Sequence, residues 1–233
     1  MAIKKDEVVA IKPIREKVAV VKIEGTSPLI VHNFGIKGRL QLPGGSTPFD
    51  ATGIEDTGLK PEKRAVQSRM EAFIESMYWI SGKPAEYTEA AFTEAVKSGA
   101  RFGFPVAAFK RAAIDAAYTK KWVENKVGLR GAFFIEPDGN SEDGEDLVEI
   151  LGDTPVMRED IVRIGTVSKV PDLRWRAQFT NWYAELKIRY DANGEYSLSD
   201  ICNILNAGGH YNGVGEWRPQ KNGQYGSFKV VTK

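Results

Sequence analysis

Arg174 and Arg176 flank Trp175 in a run read as a strand, so alternation puts both arginines on one face and the indole on the other. Guanidinium groups about 7 Å apart along a strand match the phosphate repeat of an extended nucleic acid. Ion pairing with Asp160 or Asp172 is the competing reading. Lys110 and Arg111 open a predicted helix, and Lys187 and Arg189 lie on the polar side of another predicted strand. Cations with aromatics beside them are the materials of a single-strand-binding groove.

Six glycines fall between positions 208 and 226, interleaved with Tyr211, Trp217 and Arg218. Glycine permits positive φ and lets backbone N–H groups approach a phosphate without a Cβ in the way. The pattern assigns backbone approach to Gly213, Gly215 and Gly226, stacking to Trp217 or Tyr211, and phosphate contact to Arg218. A pair of hairpin turns with Trp217 buried is the alternative.

Other chemistries are poorly supplied. No Gly-Lys-Ser/Thr phosphate loop occurs, which leaves a nucleoside triphosphatase unsupported. One cysteine, Cys202, and two histidines, His32 and His210, exclude a thiolate-rich zinc site and an internal disulfide. Cys202 falls on an apolar helical stripe and reads as a small core residue, and His32 as a core or turn histidine. A metal-dependent nuclease needs clustered carboxylates, and the dense cluster is residues 138 to 153, seven acids without Lys or Arg. Glycine within it predicts a mobile hairpin tip at 137 to 146. The expectation is therefore no catalytic residue, no metal, no cofactor and no small-molecule substrate.

Composition agrees with a globular protein: 233 residues, 42% hydrophobic and 27% charged, with no apolar run of membrane-spanning length. Thirty-two basic and 31 acidic residues give a formal charge of +1. That total hides basic regions, since residues 101 to 130 carry seven cations against two acids.

The elements that must position these groups follow from periodicity. Residues 18 to 24, 131 to 136, 147 to 151, 161 to 167, 173 to 179, 182 to 190 and 227 to 231 read as strands, with 131 to 136 and 147 to 151 expected to pair as a hairpin. Helices are predicted at 61 to 80, 88 to 97, 104 to 121 and 197 to 208, the last opened by a Ser197/Asp200 capping box. Residues 33 to 59, rich in glycine, predict a long loop, and 61 to 100 a helical insertion. The outer elements then run β-α-β-β-α-β. That order predicts a single α+β domain over 1 to 233 of ferredoxin-like or RRM-like plan, an antiparallel sheet with helices on one face.

At this point the chain resembles a known family. The segment from Gly103 through Pro105 and Lys110 to Ala113 looks like the strand-to-helix entry of RAMP-type proteins, the backbone subunits of CRISPR effector complexes. The tail from Gly208 to Pro219, with Gly223 to Gly226, is similar to that family's glycine-rich loop, although only Arg218 and Lys221 supply its basic residues. Most of the chain also resembles a group of uncharacterised bacteriophage proteins sharing Pro28 to His32, Leu129 to Phe134, Met157 to Asp160 and the Gly215 to Pro219 tail. The resemblance implies a binder of single-stranded RNA or DNA that assembles side by side into a homo-oligomer or filament in the cytoplasm of an infected host. It also implies that the 33 to 59 loop, with Phe34, Lys37, Arg39 and Phe49, acts as a thumb, where Asp50 or Asp56 invites comparison with a cleaving Asp. A virion or assembly protein without nucleic acid is the alternative. The binding proposal requires Lys110, Arg174, Arg176 and Arg218 to meet in one trough.

Overall fold

The computed structural model describes residues 13–33, 68–164 and 170–231. The 33 to 59 loop, with Asp50 and Asp56, lies outside them except for Asn33. What is described is a mixed α/β protein with three antiparallel sheets.

In chain order the strands are β1 (Glu16–Gly25), β2 (Leu29–Val31), β3 (Tyr78–Ser81), β4 (Arg101–Pro105), β5 (Phe133–Glu136), β6 (Gly139–Asn140), β7 (Asp146–Glu149), β8 (Leu151–Gly152), β9 (Val156–Ile164), β10 (Val170–Phe179), β11 (Trp182–Asp191) and β12 (Phe228–Val230). The helices are α1 (Arg69–Glu75), α2 (Glu89–Lys97), α3 (Val106–Thr119), α4 (Val127–Ala132) and α5 (Leu198–Ala207). The largest sheet runs β12-β1-β11-β5, with β8 also on β11. Alternation decides its faces: Val21 and Ile23 of β1 lie opposite Leu186 and Ala184 of β11, and all four are buried. Phe109, Ala113 and Ala117 of α3 and Ile201 and Leu205 of α5 join the same core. Small alanines along α3 let it lie close, so Gly208 can press on Ala113. Ser197 and Asp200 cap α5 reciprocally, as their spacing predicts.

The insertion at 61 to 100 is not helical throughout. The described helix α1 ends at Glu75, and Tyr78–Ser81 is a strand on β4. Met70, Phe73 and Ile74 do lie on this helix, and Met77 continues their spacing just beyond its end. Ser76 closes the helix with its hydroxyl donating to the Phe73 carbonyl at 2.7 Å, and the Trp79 indole donates to the Ile74 carbonyl at 2.9 Å. Residues 102 to 105 are buried on both faces, so β4 lacks the alternation that marks a strand. The expected 131–136/147–151 hairpin does not form either: β5 pairs with β11, whereas β7 pairs with β4 and β6. The acidic tip remains, closing the short β6–β7 ladder.

Candidate nucleic-acid interface

The glycine tail folds against β2 and upon itself. The Glu216 N–H donates to the Ile30 carbonyl at 2.9 Å and the Gly226 N–H to the Pro28 carbonyl at 2.8 Å. Gly213, Gly215 and Gly226 have φ of 64°, 78° and 67°. A Cβ on Gly215 would lie 2.5 Å from the Ile30 carbonyl oxygen. The close approach permitted at these positions is thus to neighbouring chain. Gly213 donates its N–H to the Gly208 carbonyl at 2.9 Å, so neither it nor Gly226 offers a free amide to a phosphate. This corrects the expected role of those glycines.

What the tail holds outward is Trp217. Its φ is +54°, a left-handed conformation rare for an aromatic residue, and the side chain stays 43% exposed. Its carbonyl accepts the Tyr225 N–H at 3.0 Å and abuts Gly223, where a Cβ would collide with it. The alternative of hairpin turns with a buried indole is therefore not met. Beside it, Arg218 donates through Nη1 to the Gly215 carbonyl at 3.0 Å and through Nε to Gln220 Oε1 at 3.1 Å. Other guanidinium N–H groups remain for an anion.

Strands β9 and β10 bring a second group to this edge. Register sets Arg174 opposite Asp160 and Arg176 opposite Arg158. Arg174 pairs with Asp172 at 3.2 Å. Arg176 is only 2% exposed, which removes it from direct contact with a solvent-borne phosphate. Its Nη1 stands 3.7 Å from Asp160 Oδ2 and 3.9 Å from Glu216 Oε2, and neither Nη1 nor Nε has a hydrogen-bond partner among the described residues. Burial pushes its pKa down, partly offset by Glu216 and Asp160. Arg158, which the sequence reading did not select, donates from Nε to Asp160 Oδ1 at 2.8 Å and stacks 4.8 Å from the Tyr225 ring centroid. Only the β9–β10 register puts it here, so its local sequence carried no signal.

The remaining expected residues separate. Lys110 donates to the Arg130 carbonyl at 2.8 Å and lies 4.3 Å from the Phe134 ring centroid, beside the β5 edge. Burial, then the nearby Arg189, lowers its pKa. It does not join the tail group, and the single trough through Lys110 and Arg176 is not formed. Arg111 is exposed one helical turn before Asp115, whose carboxylate accepts from Gln220 at 3.2 Å, so Arg111 lies on the side of α3 that meets the tail. Tyr211 has Lys120 Nζ 3.4 Å above its ring centroid. On the outward sheet face, Lys22, Lys187 and Arg189 are paired with Glu24, Asp138 and Glu16 at 3.1, 2.8 and 2.8 Å. Lys187 and Arg189 therefore add no unpaired cations to a groove.

Among the described residues, no group of three or more His, Cys, Asp or Glu side chains is arranged to hold a metal ion. Burial raises the Cys202 thiol pKa, against a nucleophilic role. No described helix is long and apolar enough to cross a membrane.

No family model matches the chain, and no curated protein matches it, so the resemblance to bacteriophage proteins gains no support there. Among solved structures, the chain is similar to the crystal structure of Cmr6 from Pyrococcus furiosus at 12% identity and a TM-score of 0.34. That similarity covers 94% of this chain and 100% of the other.

Proposed function

We propose that the protein binds single-stranded RNA or DNA along its backbone and assembles side by side with copies of itself, as a binding protein with no catalytic step. The carrying observation is Trp217, an exposed indole held at positive φ by a clamped loop beside Arg218. A bulky residue stays in a strained conformation only where its surroundings impose it, and such residues gather at binding sites. The indole supplies a stacking surface, while Arg218, Arg111 and Arg174 supply phosphate contacts. In this reading, β12-β1-β11-β5 with α3 and α5 is a ferredoxin-like, RRM-like unit of RAMP type.

Fluorescence anisotropy with labelled oligo(dT) and oligo(rU) tests it. With three phosphate contacts, the slope of log K against log salt should be about −2, from roughly −0.7 per contact on a single strand. Trp217→Ala should weaken binding about tenfold, since one stacked base is worth about 1–3 kcal/mol. Absence of salt-sensitive binding to both strands at low ionic strength would remove the proposal.

One observation favours the virion or assembly alternative. Val18, Val20 and Phe134 are exposed on the outward face of the large sheet, where the cations named above are already paired. Size-exclusion chromatography with absorbance ratio separates the readings: co-purified nucleic acid supports the first, and an oligomer free of it supports the second.

A further inference from the structure

A cleft of about 800 Å³ opens on the outer side of α5, between that helix, the Trp122–Val123 turn and the residues that follow α5. Its volume falls within the range of ligand pockets, roughly 300–1,000 Å³. Ile204 and Ala207 contribute an apolar floor. The rings of Trp122, Tyr196, His210 and Tyr211 line it, and Trp122 is 54% exposed.

The backbone that aims two of these rings is unusual. Gly208–Asn212 forms a π-helical turn, closed by the Gly213 N–H donating five residues back to the Gly208 carbonyl. Such turns are rare and frequently mark functional sites. Here it depends on two glycines, because a Cβ on Gly208 would lie 2.7 Å from the Ala113 nitrogen and one on Gly209 would strike the Phe228 carbonyl. With both glycines pressed inward, His210 and Tyr211 are exposed.

Charge selects the ligand. Glu195 and Asp200 line the cleft, and among its described lining residues none is Lys or Arg. Hydrogen bonds from Ser197 lower the pKa of Asp200. Carboxylates beside aromatic faces repel a phosphate and attract a cation. The molecule already seats one ammonium on this wall, Lys120 over Tyr211. A guanidinium suits the remaining space better than an ammonium, because it is flat, weakly hydrated and able to stack on an indole while donating two hydrogen bonds to a carboxylate.

We infer that this cleft receives an arginine side chain from a peptide segment of a protein partner, stacked on Trp122 and paired with Glu195. It is separate from the nucleic-acid surface of Trp217 and does not rest on that reading.

The test is titration of a capped Gly-Arg-Gly-Arg-Gly peptide into ¹⁵N-labelled protein, following the Trp122 indole resonance. The arginine peptide should shift it, and the same peptide with citrulline, which keeps the shape and removes the charge, should bind at least tenfold more weakly. Trp122→Ala, read on backbone resonances of Ala207 and Tyr211, should weaken binding about fivefold, the equivalent of one cation–π contact of about 1 kcal/mol. Glu195→Gln should weaken it and flatten its salt dependence. The nucleic-acid reading assigns its contacts to Trp217, Arg218, Arg111 and Arg174 and not to Trp122, so Trp122→Ala should leave the anisotropy titration unchanged. Equal shifts with the citrulline peptide, or undiminished arginine binding by Trp122→Ala, would overturn the inference.

Discussion

Asp160→Ala is expected to destabilise the protein by about 3–5 kcal/mol, whereas Arg176→Met should fall within about 1 kcal/mol of the parent protein or gain stability. Asp160 lies between two arginines, accepting from Arg158 Nε at 2.8 Å and standing 3.7 Å from Arg176 Nη1. Removing it leaves two cations facing each other across β9 and β10, one of them 2% exposed, with Glu216 at 3.9 Å as the remaining counter-charge to Arg176. An uncompensated buried charge is the costliest defect such a cluster can carry. Arg176 itself is buried without a hydrogen bond at Nε or Nη1 among the described residues. Methionine retains most of its length and removes that unmet demand, while Asp160 keeps Arg158. Urea denaturation monitored by tryptophan fluorescence checks both, read as midpoint shifts at constant slope. A parent-like midpoint for Asp160→Ala, or an Arg176→Met loss as large as that of Asp160→Ala, would show that the cluster is solvated.

Local pattern carried some of this architecture and not the rest. The alternation in β11 assigned Trp182, Ala184, Leu186, Ile188 and Tyr190 to one side; the first four are buried and Tyr190 is half-buried. The Ser197/Asp200 spacing marked the start of α5 because a capping box is completed within four residues. By contrast, β4 is covered on both faces by chain distant in sequence, which erases the period-two signal. Arg174 and Arg176 do share a face, as alternation requires. Which face is covered depends on Glu216 and Tyr225, some 40 to 50 positions later, so the burial of Arg176 could not be read locally. The same dependence hid Arg158, whose place opposite Arg176 is set by strand register. Glycines 213, 215 and 226 were legible as positions of positive φ, but not as seats for neighbouring carbonyls.

That last distinction yields the second large effect. Gly226→Ala is expected to cost about 3 kcal/mol or more, against about 1 kcal/mol for Gly144→Ala, and to abolish measurable single-strand binding. The two glycines have similar φ, +67° and +77°, so the intrinsic cost of placing alanine in the left-handed region is shared. They differ in surroundings. A Cβ at Gly144 meets nothing within 4 Å, whereas one at Gly226 would overlap the Val214 carbonyl. That oxygen belongs to the backbone and cannot rotate away. Relief requires breaking the 2.9 Å bond from Val214 N–H to the Gly226 carbonyl, the 2.8 Å bond from Gly226 N–H to Pro28, or both. These bonds fasten the tail that displays Trp217. If the indole stacks on nucleic acid, loosening the tail should therefore remove binding at temperatures where the large sheet and its helices remain folded. Thermal melts paired with anisotropy titrations measure the two consequences separately. Should Gly226→Ala lose stability as expected yet bind oligo(dT) and oligo(rU) as the parent does, the clamped tail would not be the binding element. Should both glycine variants lose the same stability, φ alone would account for the loss and the packing of Gly226 against Val214 would not.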